Sequence, residues 1–219
     1  MPSLPELAQT LAVWALPVLF AITLHEVSHG WVARALGDST AAMMGRLSLN
    51  PLKHIDPVGT ILVPLIFVLM PGNVVFGWAK PVPVSWRNLG NPRRDMALVA
   101  VAGPMANLAM ALAWGLVLKV ALWQGAGEGL WLGIRMMAIA GISVNLVLMA
   151  LNLLPIPPLD GGRVLSGVLP PRWSVTLDRV EPYGTLIVVA LLVTGLLGSL
   201  LRPLMAAGEA LLATVLGFR

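Results

Sequence analysis

The sequence HEVSH at residues 25–29 sets two imidazoles four residues apart, with a carboxylate beside the first. On an α-helix, residues i and i+4 share a face, so His25 and His29 can both project toward one metal ion. Glu26, one step round the helix, can reach a water beside that ion. Zinc in such a setting acidifies water and polarises an amide carbonyl, while the glutamate accepts the water's proton and passes it to the leaving amine. The chemistry would be peptide-bond hydrolysis, with a single Zn2+ as the expected cofactor. A bare HExxH pattern also occurs by chance in proteins that are not proteases. Here the location matters: three ionisable side chains fall within five residues of an apolar helix, where each costs about 2.5–3.5 kcal/mol or more at membrane depth. A shared metal gives all three a purpose. A purely structural polar cluster is the alternative.

A catalytic zinc usually has three protein ligands and an open position. The chain has no cysteine, so the third ligand must be another His, Asp or Glu. Asp160, after the proline break in NLLPIPPLDGG (152–162), is one candidate, with Gly161 and Gly162 able to turn its carboxylate inward. His54 and Asp56, in LNPLKHIDP, are the others.

The elements that must position these groups are apolar. Of the 219 residues, 58% are hydrophobic and 11% charged, against about 45–50% and about 25% in soluble domains. Four stretches, approximately 4–33, 96–123, 130–155 and 183–201, approach or exceed the ~20 helical residues that cross a hydrocarbon core. The first lacks a basic leader region and a small-residue cleavage site, and is expected to remain in the mature protein. A fifth stretch, 58–70, is short for a span. Residues 73–86 (NVVFGWAKPVPVSW), with Val, aromatics and prolines at 81 and 83, read as an edge strand or hairpin. The formal charge of +4 is spread over short loops between apolar runs, which fits positive-inside topology rather than nucleic-acid binding. The expectation is a single membrane domain over 1–219: an all-α polytopic bundle with a re-entrant segment and a short membrane-associated β-hairpin or strand, embedded in the lipid bilayer.

Three segments resemble the site-2 protease family, zinc metalloproteases that cut substrates within the membrane. HEVSHG (25–30) is similar to that family's HExxH helix, GPMAN (103–107) to its glycine-proline-asparagine segment, and NLLPIPPLDGGR (152–163) to its downstream DG motif, in the family's order. GRLSLNPLKHIDPVGT (45–60) and GWAKPVPV (77–84) resemble a compact bacterial branch. The resemblance implies that His25, His29 and Asp160 hold zinc, that Glu26 is the general base, and that Asn107 and Asn152 lie near the substrate. Asn152 is the better placed of the two to hold a substrate backbone or oxyanion. His54 belongs to the branch signature and is expected to be structural or gating. The implied partners are transmembrane protein substrates, and the implied location is a bacterial inner membrane. No PDZ or nucleotide-sensing domain of the kind some relatives carry is expected within residues 1–219, so substrate selection is expected to rest on the membrane core or on partners. Two other readings compete. A metal transporter would not need Glu26 beside the first histidine, and no inverted repeat of the kind many transporters carry is visible. Against an inactive helix-binding relative stands the intact Glu26.

A shared zinc also fixes topology. His29 lies near the C-terminal end of the first span and Asp160 just past the C-terminal end of the third stretch, so these two helices must run in the same direction. Only one full crossing can separate them. That crossing is 96–123, which makes 58–70 re-entrant or partly inserted. With 34–95 and 156–182 in the cytoplasm, ten Lys and Arg lie inside and two, Lys119 and Arg135, near the outer face, leaving aside Arg202 and Arg219. A full span at 58–70 gives seven against five, a weaker bias. The zinc is then expected on the order of 10 Å below the cytoplasmic boundary, with the N-terminus outside.

Overall fold

The structure, a computed structural model, describes residues 3–63, 77, 79–125 and 127–218. Its first helix, α1 (Leu4–Ala35), starts in a capping box: Glu6 N–H donates to Ser3 Oγ and Ser3 N–H to the Glu6 carboxylate. α2 (Pro92–Trp123) is capped by Asn91, whose side chain accepts from Arg94 N–H, while Asp95 accepts from Asn91 N–H. α3 (Gly129–Asn152) stops before Pro155, which lacks the N–H that another turn would need. Three shorter helices follow, α4 (Asp160–Val168), α5 (Pro171–Asp178) and α6 (Gly184–Val193), and then α7 (Leu196–Leu216).

α1, α2, α3 and α7 are long and apolar enough to cross a membrane. Only 17–39% of their most apolar windows is buried inside the protein. The remainder presents side chains such as Leu11, Trp14, Phe20, Leu116 and Val120 outward, an apolar surface too extensive for water and suited to lipid. The chain is a multi-pass membrane protein.

α2 is the central helix and packs on α1, α3, α4 and α7. Ala111, Leu146, Met149, Leu212 and Leu216 lock α2, α3 and α7 together. Ala33, Leu89 and Val99 join the end of α1 to the start of α2, and Gly90 N–H donates to Leu36 carbonyl. The connection from 36 to 91 therefore leaves and returns at one end of the bundle. At the other end, Lys119 Nζ donates to the Leu216 carbonyl, satisfying a helix-terminal acceptor.

Two expectations need correction. The apolar stretch 183–201 is not one helix: it breaks at Thr194–Gly195, where Gly195 adopts φ +76. The crossing helix is 196–216, because a left-handed residue ends a helix however apolar its flanks are. Nor does the expected hairpin form among the described residues, which contain no strand. Its part at 79–85 makes no ladder because the N–H groups of Lys80, Val82 and Ser85 go to the His54 carbonyl, Glu26 and Asp38, and Pro81 and Pro83 have none. Residues 73–76 and 78 lie outside the described residues. Of the expected re-entrant segment, Pro57–Leu62 forms a wide helical turn capped by Asp56, and 64–70 lies outside the described residues.

Candidate active site

His25 and His29 lie on the face of α1 turned toward α2, near its C-terminal end. His29 Nδ1 donates to the Val99 carbonyl at 2.7 Å, an atom that can only accept. His25 Nδ1 donates to Asn107 Oδ1 at 2.6 Å. That assignment follows from the network, since Asn107 Nδ2 donates to the Ala21 carbonyl and to Asn145 Oδ1, and Asn145 Nδ2 to the Gly141 carbonyl. With both Nδ1 protons spoken for, each Nε2 faces the other with its lone pair. These two atoms are 3.2 Å apart, and Asp160 Oδ2 stands 3.3 Å from each.

A metal cation shared by three electron-pair donors would hold them at such distances. Ligand atoms about 2.0–2.1 Å from a tetrahedral zinc lie about 3.3–3.4 Å from one another. The observed triangle matches that spacing on all three edges, and the two ring orientations are fixed by hydrogen bonds at the far nitrogens, as metal-ligating histidines require. The residues present fit zinc.

Asp160 is the first residue of α4. Gly161 and Gly162 belong to that helix's first turn rather than to a separate turn, and their role is close approach. A Cβ at Gly161 would lie 2.4 Å from the Leu153 and Leu154 carbonyl oxygens, and one at Gly162 would lie 2.4 Å from Pro157 nitrogen. Bare backbone here lets α4 press onto the 153–157 turn and aim Asp160 at α1. Burial works against charge on Asp160, and a cation between its Oδ2 and the two imidazole lone pairs would offset that cost. The carboxyl is ionised, as a ligand oxygen must be.

Gly103, in α2, forms the floor beneath the imidazoles. A Cβ there would fall 2.5 Å from His25 Cε1 and 2.5 Å from His29 Nε2. Glu26 lines the same cavity, a hollow of about 140 Å³ shared with His25, His29, Asn152, Asp160 and Arg163. Its Oε2 accepts the Val82 N–H at 2.8 Å. The segment that carries Val82 is itself held: Arg46 Nη2 donates to the Lys80 and Pro81 carbonyls at 2.9 and 3.2 Å, and Lys80 N–H donates to the His54 carbonyl.

The remaining candidates separate clearly. Asn152 lines the cavity and donates to the Leu148 carbonyl through Nδ2. Asn107 does not line it: fully buried, it stands behind His25 with its groups engaged as above. His54 is 2% exposed, faces the Ser48 carbonyl through Nε2 at 2.9 Å, and is not among the clustered ligand atoms. Asp56 caps the following turn. Sequence reasoning included Gly103 in the GPMAN segment without giving it a role, and missed Arg46, the Val99 carbonyl and the Val82 N–H. The glycine had a signal, an uncompensated Gly within an apolar helix that marks close approach. The backbone groups and Arg46 had none, because their partners lie 34 to 70 residues away.

Comparison with known proteins accords with this geometry. Residues 120–195 match the family model described as Peptidase family M50. Over 204 residues the chain is 40% identical to a Bacillus subtilis protein named "Putative zinc metalloprotease YwhC", covering 88% of this chain and 85% of that one. It is 34% identical over 176 residues to "Putative zinc metalloprotease Rip2" of Mycolicibacterium smegmatis, covering 80% of this chain and 64% of that protein's length. No solved structure gives a significant match. With the ligand triangle, the HExxH helix and a relative matched over most of both chains, this protein belongs to peptidase family M50, the site-2 proteases, and is a zinc metalloprotease.

Proposed function

We propose that this metalloprotease hydrolyses peptide bonds within transmembrane segments of other proteins, from the cytoplasmic side of a bacterial inner membrane. The observation that carries the reading is the placement of three converging ligand atoms and Glu26 at one end of an apolar bundle, on helices long enough to cross lipid. That end is where 34–95 and 156–182 emerge, with most of the chain's Lys and Arg, so the positive-inside rule assigns it to the cytoplasm.

His25, His29 and Asp160 are the groups that would hold the zinc. When bound, the ion supplies Lewis acidity toward water and the scissile carbonyl. Glu26 takes the water's proton on its carboxylate and returns it to the leaving nitrogen. The Val82 N–H fixes Oε2 and leaves Oε1 for that transfer. Asn107 acts through His25, fixing its tautomer and orientation from behind; this role replaces the expected substrate contact. Asn152, at the cavity wall, faces the substrate. His54 serves structure, its carbonyl tethering Lys80.

A substrate helix hides its carbonyls in internal hydrogen bonds and must unwind locally before attack. Its freed backbone needs partners. On the 80–84 segment these are the Val84 N–H and the carbonyls of Val82, Pro83 and Val84, which have no partner among the described residues. The test uses purified protein in liposomes with a single-span model substrate. Glu26→Gln should abolish cleavage while bound zinc stays stoichiometric. Residual turnover above a few per cent removes Glu26 from the mechanism, and cleavage of soluble peptides alone removes the transmembrane substrate.

A further inference from the structure

The catalytic cavity has a larger neighbour. About 140 Å³ around Glu26 and the ligands holds about four or five waters by volume, enough for a scissile peptide unit and little of the chain on either side. Beside it lies a cavity of about 540 Å³ between the 84–86 segment, the start of α2, α4 and α5, within the ~300–1,000 Å³ typical of sites that bind ligands. Val84, Met96 and Arg163 line both, so the two spaces adjoin along one wall. A substrate chain held at Glu26 has this space as its continuation.

The charged groups facing the larger cavity are not equivalent. Arg93 is spent on the Ser166 and Leu169 carbonyls at the end of α4. Asp178 accepts from Ser166 Oγ, which also bonds Ser174 Oγ. Arg163 and Glu181 remain. They approach only to 4.0 Å, with side chains 45% and 52% exposed, a contact of the kind that contributes little and opens readily. Among the described residues, Arg163 is the one Lys or Arg lining the catalytic cavity. It sits one turn beyond Asp160 on α4 and therefore looks along the path from the scissile bond into the larger space.

We propose that the larger cavity is the subsite for the substrate residues flanking the scissile bond, and that Arg163 selects an acidic side chain there, which takes the place Glu181 holds in the free enzyme. The exchange is carboxylate for carboxylate on one guanidinium, whose forked donors suit it, so little desolvation stands in its way. The surrounding end of the bundle, with ten Lys and Arg between 34 and 95 and between 156 and 182, adds a field of the same sign. This inference rests on the proposed cleavage of transmembrane segments and deepens it.

The experiment measures kcat/KM in liposomes for a single-span substrate set with Glu, Ala or Lys stepped through the positions on each side of the cleaved bond. The readout is the Glu/Lys ratio at each position within one enzyme variant, so loss of overall activity cancels. Wild type should favour Glu over Lys about two- to fivefold at one or two adjacent positions on one side only, chiefly through KM. Arg163→Glu should invert the ratio there, Arg163→Gln should flatten it, and Glu181→Gln should enlarge it by removing the resident competitor. A flat wild-type profile, or a preference unchanged in Arg163→Glu and Arg163→Gln, overturns the subsite while cleavage of the Ala substrate leaves the proteolytic reading standing. If no member of the set is cleaved by wild type while a soluble peptide is, both fall.

Discussion

Replacing Gly103 by alanine sets two effects of opposite sign against each other. On helix propensity alone, Gly→Ala in a helix interior stabilises by about 0.5–1 kcal/mol. The structure places the added methyl 2.5 Å from His25 Cε1 and 2.5 Å from His29 Nε2, where ordinary contact needs about 3.5–4.0 Å. A separation of about 1 Å must be found. The α2 backbone has little freedom to supply it, because Val99 and Asn107, one turn either side, are hydrogen-bonded to the same imidazoles. The rings must move, and with them the triangle of 3.2–3.3 Å edges. Displacements of that size cost about 100-fold in catalysis, and disturbed orienting bonds cost about 10- to 100-fold in metal affinity. The expected Gly103→Ala protein is therefore folded, with a melting temperature in zinc-free buffer equal to or above wild type, a zinc Kd raised at least tenfold by competition with a chelator, and kcat/KM lowered about 100-fold. Retention of both zinc affinity and activity within twofold would refute the packing argument and the placement of α2 against the two histidines.

Three further outcomes follow from the site. Asp160→Ala should lose zinc under dialysis that leaves wild type loaded, while His54→Ala should keep it; the reverse result, read by metal analysis, would make His54 the third ligand. Arg46→Ala should lower kcat about tenfold with zinc and KM nearly unchanged, since it frees the Lys80–Val82 segment that fixes Glu26, a loss comparable to breaking charge-assisted bonds of about 1.5 kcal/mol or more. Arg46→Lys should recover part of it, and an unchanged kcat in Arg46→Ala would sever Arg46 from the site. Single cysteines at Ser48 and Asn91, in a chain with no native cysteine, should both label from the cytoplasmic face of inverted vesicles. Labelling from opposite faces would contradict the return of the 36–91 connection to one end of the bundle.

Much of this protein was legible as sequence. His25, Glu26 and His29 could be singled out as candidates because a helix turns i and i+4 to one face whatever the rest of the chain does, and because lipid makes unpaired ionisable groups too costly to keep without a purpose. Three of the four candidate spans could be read from length and composition for the same reason: in hydrocarbon a helix satisfies its own backbone. Even the return of the chain between α1 and α2 followed from requiring one zinc to serve residues 25 and 160. The fourth span was misplaced because Gly195 adopts a left-handed conformation, which hydropathy does not register. A strand was expected at 73–86 because Val and aromatics are read as pairing with a neighbouring strand, whereas the N–H groups of Lys80, Val82 and Ser85 were claimed by a loop carbonyl, a helix glutamate and an aspartate.

Other features exist only once the chain is folded. Nothing local distinguishes Asp160 from His54 or Asp56 as a candidate third ligand; Asp160 is the one that packing brings to 3.3 Å from both imidazoles, because bare backbone at Gly161 and Gly162 lets α4 close on the 153–157 turn. Asn107 changed from a substrate contact to the support behind His25 for a similar reason, since the side of α2 that meets α1 is set by packing across the bundle. A sequence shows which groups could bind a cation, because that is intrinsic to the side chain. Which of them converge within a few ångströms depends on how separate helices pack, and that is decided by contacts between residues far apart in the chain.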